Sequence, residues 1–186
     1  MEKKSEIFKS VEEILEKNIR EGNISLILDA YDDIFSDFDP RPYGERALSD
    51  DFLSECNKAA RDMGEKFELR LMVPAKLRNL KEELKIRKRL KSHFQRHAEE
   101  KRKELFNIRK EGVIWFLIGT LVMLASAFFY GQTTFIFHLL EVMLVPAGWF
   151  LFWDGLEKVF IESKEKLPDY TFYKKMSGCQ VYFISY

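Results

Sequence analysis

A histidine and a glutamate lie three residues apart inside a long apolar stretch of the sequence. The stretch FIFHLLEVMLVPAGWFLFW runs from Phe135 to Trp153 and contains His138 and Glu141. A carboxylate exposed to lipid is costly, so such residues usually face protein or water. Pro146 has no N–H, so the carbonyl of Val142 loses its helical partner. The pattern predicts an intramembrane polar stripe of His138, Glu141 and Pro146, which either joins helices or lines an ion path.

Two apolar segments, residues 112–130 and 134–153, are separated by a very short connection. Val113 to Phe129 carries no charge, and its length as a helix is ~26 Å, close to the thickness of a bilayer core. A connection this short predicts that the two segments form a transmembrane helical hairpin, residues 112–158. Small residues recur every seven positions in the first segment, which predicts a face where another helix packs closely. These helix-packing residues are Gly112, Gly119 and Ser126.

The basic residues around the hairpin predict its orientation. Five lysines and arginines lie at 101–110, before the first segment, and three lie at 158–166, after the second, whereas the connection has none. Basic residues flanking membrane spans are retained on the cytoplasmic side. We therefore expect a multi-pass protein of the cell (inner) membrane with both termini in the cytoplasm.

The rest of the chain predicts an α+β cytoplasmic domain of about three strands with flanking helices. Residues 1–76 form its first part, with an amphipathic helix over Ser5–Ile19, strands near Ile24 and over 67–73, and a helix over 49–64. Residues 159–186 form a return that ends in the apolar strand CQVYFISY. A tail this apolar is expected to pair with the strands of the first part.

Residues 77–111 predict a long basic stalk helix that continues into the hairpin, because neither Pro nor Gly interrupts Leu77–Lys110. Lys76 to Lys110 holds fourteen bases and five acids, whereas Glu21 to Asp62 holds eleven acids and four bases. Opposed charge of this kind predicts that the two segments pair, within one chain or between subunits. The candidate pairing residues are Asp32, Asp33, Asp37 and Asp39 on one side and Arg87, Lys88 and Arg89 on the other.

Residue patterns that support enzymatic chemistry are weak in this sequence. The acidic loop lacks the glycine and the closing glutamate of a calcium-binding helix–loop–helix. Cys56 and Cys179 have no metal-binding spacing, and His93 and His97 lack a third ligand. The sequence predicts no metal, no cofactor and no catalytic residues, so we do not expect an enzyme.

Two phrases of the sequence resemble segments of uncharacterised prokaryotic proteins with two membrane spans. They are YDDIFSDFDPRPY, from Tyr31 to Tyr43, and VPAGWFLFWDGLEK, from Val145 to Lys158. In layout, the chain also resembles two-span membrane effectors of bacterial defence systems, in which a cytosolic sensor controls a membrane-disrupting hairpin. The resemblance implies a two-span membrane protein.

Together these features predict an integral membrane protein that forms a homo-oligomeric scaffold or a pore-like or channel-like assembly with a cytoplasmic ring. Its expected partners are the lipid bilayer and further copies of itself. The alternative is a membrane-anchored module that binds nucleic acid or performs metal-dependent catalysis, or a two-span defence-type membrane effector. Nucleic acid is a less favoured partner, because the basic residues of the stalk are also typical of a solvated helix.

Overall fold

Three parallel strands form the sheet of the protein in a computed structural model that describes residues 23–61, 63–64, 67–131 and 134–186. The strands are β1 (Ile24–Ile27), β2 (Glu68–Val73) and β3 (Gln180–Ser185), in the order β1-β2-β3. Leu26 of β1 lies opposite Leu71, which lies opposite Phe183 of β3. The prediction of a mixed fold with three strands is confirmed.

The described residues contain four α-helices. They are α1 (Asp50–Arg61), α2 (Leu80–Ala127), α3 (Phe135–Glu157) and α4 (Ser163–Gly178). Lys158–Glu162 forms a π-helical turn between α3 and α4, and short 3₁₀ turns cover Tyr31–Ile34 and Ala75–Leu77. The predicted helix over Ser5–Ile19 lies outside the described residues.

The chain divides into two compact units. The first, called the mixed unit, comprises the described residues up to Ala98 together with Thr171–Tyr186. The second, called the hairpin unit, is Glu99–Tyr170.

Alternating apolar residues of the sheet build the core of the mixed unit. Leu69, Leu71 and Val73 lie on one face of β2 and are fully buried, as the alternation in the sequence predicts. The helices that cover this face contribute their own buried apolar side chains to the same cluster. These are Phe52 and Cys56 of α1, Ile86, Leu90 and Phe94 of α2, and Phe172 and Met176 of α4.

The hairpin unit exposes an unusual amount of apolar surface. The two long helices of the chain are long and apolar enough to cross a membrane. Their large apolar side chains lie mostly at the surface: Leu121 is 64% exposed, Phe135 79% and Phe150 69%. The prediction of two long apolar helices is confirmed, and the described residues leave much of their apolar surface uncovered.

Candidate functional site

Four glycines bring the backbones of α2 and α3 into direct contact within the hairpin unit. A Cβ built on Gly112 would lie 2.8 Å from the carbonyl oxygen of Gly155, and one on Gly155 would lie 2.6 Å from that of Gly112. Gly119 and Gly148 oppose each other in the same way, at 2.7 Å and 3.0 Å. Two glycines seven residues apart on each helix therefore form an interlocking contact that no larger side chain fits.

The third small residue of the predicted packing face, Ser126, lies near the end of α2 in this unit. It is buried, and its hydroxyl donates a hydrogen bond to the carbonyl oxygen of Met123 at 2.7 Å. Small polar side chains satisfied by their own helix can be buried at low cost. The close contact thus involves Gly112 and Gly119 directly, while Ser126 is buried without a glycine opposite it.

The residues of the predicted polar stripe, His138, Glu141 and Pro146, all lie on α3. Nδ1 of His138 lies 3.8 Å from Oε2 of Glu141, with the His138 side chain 68% exposed and that of Glu141 23% exposed. Pro146 lies inside the same helix. Large apolar neighbours, among them Leu140 and Val142, are exposed around the pair. This part of α3 therefore presents an exposed imidazole and a half-buried carboxylate among exposed apolar side chains.

A buried carboxylate organises the mixed unit at the end of the strands. Glu83 of α2 is 1% exposed, and its Oε1 accepts a hydrogen bond from the hydroxyl of Tyr31 at 2.8 Å. The guanidinium of Arg78 donates to both carboxylate oxygens, and the amide of Asn79 donates to the Tyr31 hydroxyl at 2.9 Å. The network ties the loop after β1 to the start of α2.

The charges around Glu83 determine its protonation state. Burial alone would raise the pKa of Glu83, but hydrogen bonds from Arg78 and Tyr31 and the charges of Arg78 and Arg87 hold it below its ordinary value. Burial raises the pKa of Tyr31, and the bond to Glu83 adds to this. Glu83 is therefore ionised at neutral pH and Tyr31 is protonated, which suits a structural network better than proton transfer.

Two acidic residues of the loop after β1, Asp32 and Asp33, form hydrogen bonds within that loop. The Asp33 carboxylate accepts hydrogen bonds from the backbone amides of Asp29 and Ala30, and these bonds close the turn that follows β1. Asp32 accepts a bond from Nη1 of Arg46 at 2.6 Å. These contacts hold Arg46, whose guanidinium also lies 5.9 Å from the centre of the Phe35 ring.

Asp39 is the third acid of this loop with a local partner. Its carboxylate accepts hydrogen bonds from two side-chain nitrogens of Arg41 and from the backbone amide of Ala47. The Arg41 guanidinium, with help from the Ala47 amide, holds the pKa of Asp39 well below its usual range. Asp37, in contrast, is exposed at the turn.

The three basic residues predicted to pair with these acids lie on α2 of the same unit. Arg87 has Nη2 3.9 Å from Oε2 of Glu83, and its guanidinium lies 5.6 Å from the centre of the Phe183 ring. Nε of Arg89 donates to the carbonyl oxygen of Arg46 at 2.9 Å, and Lys88 is exposed. Asp32 and Asp39 are thus paired locally, and charge pairing between subunits stays a prediction.

A basic groove of about 430 Å³ lies between α2 and the loop in the mixed unit. Its basic residues are Lys85, Lys88 and Arg89, and its other walls are Pro42, Gly44, Glu45 and Ser92. Nζ of Lys85 is paired with Glu82 at 2.9 Å. Three cations against the two carboxylates of Glu45 and Glu82 leave the groove with a small positive excess, which is suited to a phosphate or carboxylate.

The thiols and histidines of the described residues do not form a reactive centre. Burial raises the pKa of the Cys56 thiol, and it raises that of Cys179 to about 11. Both are therefore protonated at neutral pH, whereas a nucleophilic cysteine requires the thiolate. The ring centres of His93 and His97 lie 4.3 Å apart with their planes tilted by 57°, but the described part of the chain holds no group of three side chains that could bind a metal ion.

Sequence reasoning missed two parts of this arrangement. Gly148 and Gly155 complete the glycine contact, and their spacing of seven, equal to that of Gly112 and Gly119, is a signal that could have revealed them. Glu83 gave no such signal, because one acid in a charged helix is typical of a solvated surface.

Comparisons of the chain with models of protein families, with curated protein sequences and with solved structures found no match.

Proposed function

We propose that the protein is an integral membrane protein of the cell (inner) membrane that assembles as a homo-oligomer, with the hairpin unit in the bilayer and the mixed unit in the cytoplasm. One observation carries the proposal: an exposed imidazole, His138, and a half-buried carboxylate, Glu141, lie together on a helix whose surroundings are apolar. In a bilayer the surrounding apolar surface is covered by lipid, whereas a carboxylate facing lipid costs about 2.5–3.5 kcal/mol near the centre of a span. A second protein surface or water must therefore cover the pair.

Another copy of the same hairpin is the simplest covering for this pair. The glycine contact already joins α2 to α3, so the rest of each helix surface is available for other copies or for lipid. Within an oligomer, the pair of each copy would face its neighbours or a shared aqueous path. The first arrangement makes a scaffold, and the second makes a pore lined by titratable groups.

The scaffold and the pore differ in what happens when Glu141 loses its charge. Glu141→Gln keeps the shape and most of the hydrogen bonding, and membrane hydrogen bonds between side chains average ~0.6 kcal/mol, so a scaffold should assemble unchanged. In a pore, the same substitution should change the cation selectivity or the pH dependence of ion flux. Glu141→Leu removes all polar contacts and should weaken a scaffold.

The test combines oligomer mass in detergent with ion flux in liposomes. The variants are the wild type, Glu141→Gln, Glu141→Leu and His138→Ala, with Met143→Leu as a control for an exposed apolar position on the same helix. A wild-type protein that is monomeric would contradict the proposed function. Liposomes without flux, together with a Glu141→Leu variant that dissociates, would support the scaffold and exclude the pore.

The basic groove favours a second candidate, a membrane-anchored module that binds nucleic acid. Lys88 and Arg89 would contact phosphates, so the affinity should fall steeply with salt. Lys88→Glu should weaken binding of a labelled RNA or DNA oligonucleotide to the full chain in detergent. Lys91→Glu, an exposed lysine outside the groove, is the matched control. Equal effects of the two substitutions, or no binding at low salt, would count against this candidate.

A further inference from the structure

Strand β3 has a free edge within the described residues. It follows β2 in the order β1-β2-β3 and has no further described neighbour. The amide of Tyr186 donates to the carbonyl oxygen of Val73, and the amide of Ala75 donates to that of Tyr186, so the backbone groups of Tyr186 face β2. Backbone groups alternate in direction along a strand. Those of Val181, Phe183 and Ser185 therefore point away from the sheet.

The sequence of β3 lacks the residues that usually prevent edge strands from pairing. Natural proteins protect edges with short strands, charged side chains, proline or bulges. The six residues QVYFIS contain no charge, no proline and no glycine. Tyr182 is 39% exposed, and Val181 and Ile184 are half-buried. In contrast, β1 at the opposite side of the sheet has only four residues.

We propose that β3 pairs in antiparallel orientation with β3 of a second copy of the chain, about a two-fold axis at Phe183. This register puts Val181 opposite Ser185 of the partner subunit and the two copies of Phe183 opposite each other. All three outward-facing residues of each copy then exchange backbone hydrogen bonds. On the other face of the sheet, Tyr182 lies opposite Ile184 of the partner subunit.

A second copy fits this edge better than an unrelated peptide for two reasons. An antiparallel pair of identical strands is self-complementary, so a single two-fold axis satisfies both edges. The strand also carries no charge, so no like charges oppose each other in the pair. The side chains that become neighbours are aromatic and β-branched, a favourable cross-strand combination.

The pairing of the two β3 strands rests on the proposed function, because the contact is too small to hold two copies together in solution. Stable complexes in solution bury about 1,600 Å², which is more than one pair of six-residue strands provides. Copies held in one membrane are concentrated, so a weak contact between their mixed units becomes populated. We therefore expect the pairing between copies in a membrane or a shared micelle.

A register-specific disulfide tests the pairing in the full-length protein. In the proposed register, position 182 and position 184 of the partner subunit form a non-hydrogen-bonded antiparallel pair. Their Cα atoms are then about 4.5 Å apart, within the range of a disulfide. One copy carries Tyr182→Cys and a differently tagged copy carries Ile184→Cys, both in a Cys56→Ala, Cys179→Ser background. In membranes, oxidation should join the two variants efficiently. Each variant alone should remain largely unlinked, because two copies of position 182 are about 8 Å apart in this register.

A proline substitution provides the second arm. Ser185→Pro removes an outward-facing N–H and leaves the hydrogen bonds to β2 in place, so the yield of the disulfide should fall at least tenfold. Ser185→Thr keeps the N–H and should leave the yield unchanged. In the otherwise native chain, a proline variant whose melting temperature matches that of the threonine variant confirms that the fold is intact.

The outcomes separate this inference from the proposed function. An oligomer that persists in detergent, with no disulfide between the two variants, would overturn the pairing and leave the proposed function standing. A disulfide formed equally by either variant alone would overturn the register. A monomer by mass in membranes and in micelles would contradict both.

Discussion

The substitution Gly119→Leu tests whether the hairpin depends on direct contact between glycine backbones. A Cβ at this position would lie 2.4 Å from the amide nitrogen of Phe152 and 2.7 Å from the carbonyl oxygen of Gly148. Ordinary contact begins at 3.4 Å, and backbone atoms cannot rotate out of the way as a side chain can. The helices would have to separate by about 1 Å for the Cβ alone, before the rest of the leucine is placed.

The expected effect is large and has a definite sign. Overpacking a close contact costs about 1–3 kcal/mol, and leucine, with four added carbons, belongs at the upper end. Leucine is a better helix former than glycine by roughly 0.8 kcal/mol, which offsets part of this cost. We therefore expect Gly119→Leu to lower the free energy of unfolding of the hairpin by about 2 kcal/mol.

Tryptophan fluorescence during denaturant titration in a mild detergent measures this change. The three tryptophans of the chain, Trp115, Trp149 and Trp153, all belong to the hairpin unit, so the signal reports on this unit. Ala147→Leu, at an exposed position beside Gly148, is the matched control and should change the unfolding free energy by less than about 0.5 kcal/mol. A Gly119→Leu variant as stable as the control would refute the interlocking contact.

Three further predictions concern the mixed unit and the orientation of the chain. Because the pKa of Glu83 is lowered by folding, its contribution is present above its ordinary value of 4.5 and is lost as the pH falls toward the lowered value. The Glu83→Gln variant should therefore be less stable than the wild type at pH 7, but its melting temperature should fall less between pH 5 and pH 3. Melting temperatures of the two proteins that fall in parallel with pH would contradict this. For orientation, a cysteine at Thr134 should be labelled from outside intact cells and one at Lys164 should not, whereas the reverse pattern would place the termini outside. Deleting 178–186 removes β3 and uncovers Leu71, so at roughly 1.5–3 kcal/mol for each large apolar side chain the mixed unit should unfold; an unchanged melting temperature would show that the unit does not need the strand.

The elements of the fold could be predicted because their signals are local. Alternation at Leu69, Leu71 and Val73 indicates a strand with one buried face, and long apolar runs indicate the two membrane-length helices. The parallel direction of the strands was beyond this reasoning, because it depends on how the connections return to the sheet. The coverage of the sheet by parts of α2 and α4 was equally beyond it, since Ile86 and Met176 are far apart in sequence.

The candidate site also contains residues that local sequence patterns indicate and residues that depend on contacts between distant parts of the chain. Small residues at Gly112 and Gly119 indicate a packing face, but the partner face becomes evident only when Gly148 and Gly155 are compared with them at the same interval. Glu83 could not be selected, because its burial depends on Tyr31, which is distant in the chain. Asp32 and Asp39 resemble an interface by composition, whereas their contacts show how the loop itself is held together.

The mass of the assembled protein tests the proposed function most directly. One chain has a mass of 22.1 kDa, so native mass spectrometry after release from a mild detergent, or light scattering corrected for bound detergent, can count the copies. The proposal predicts a single species at a whole multiple of this mass, which shifts toward smaller species in Glu141→Leu if the polar pair joins the copies. A wild-type protein with the mass of one chain at every concentration and in every mild detergent would contradict it.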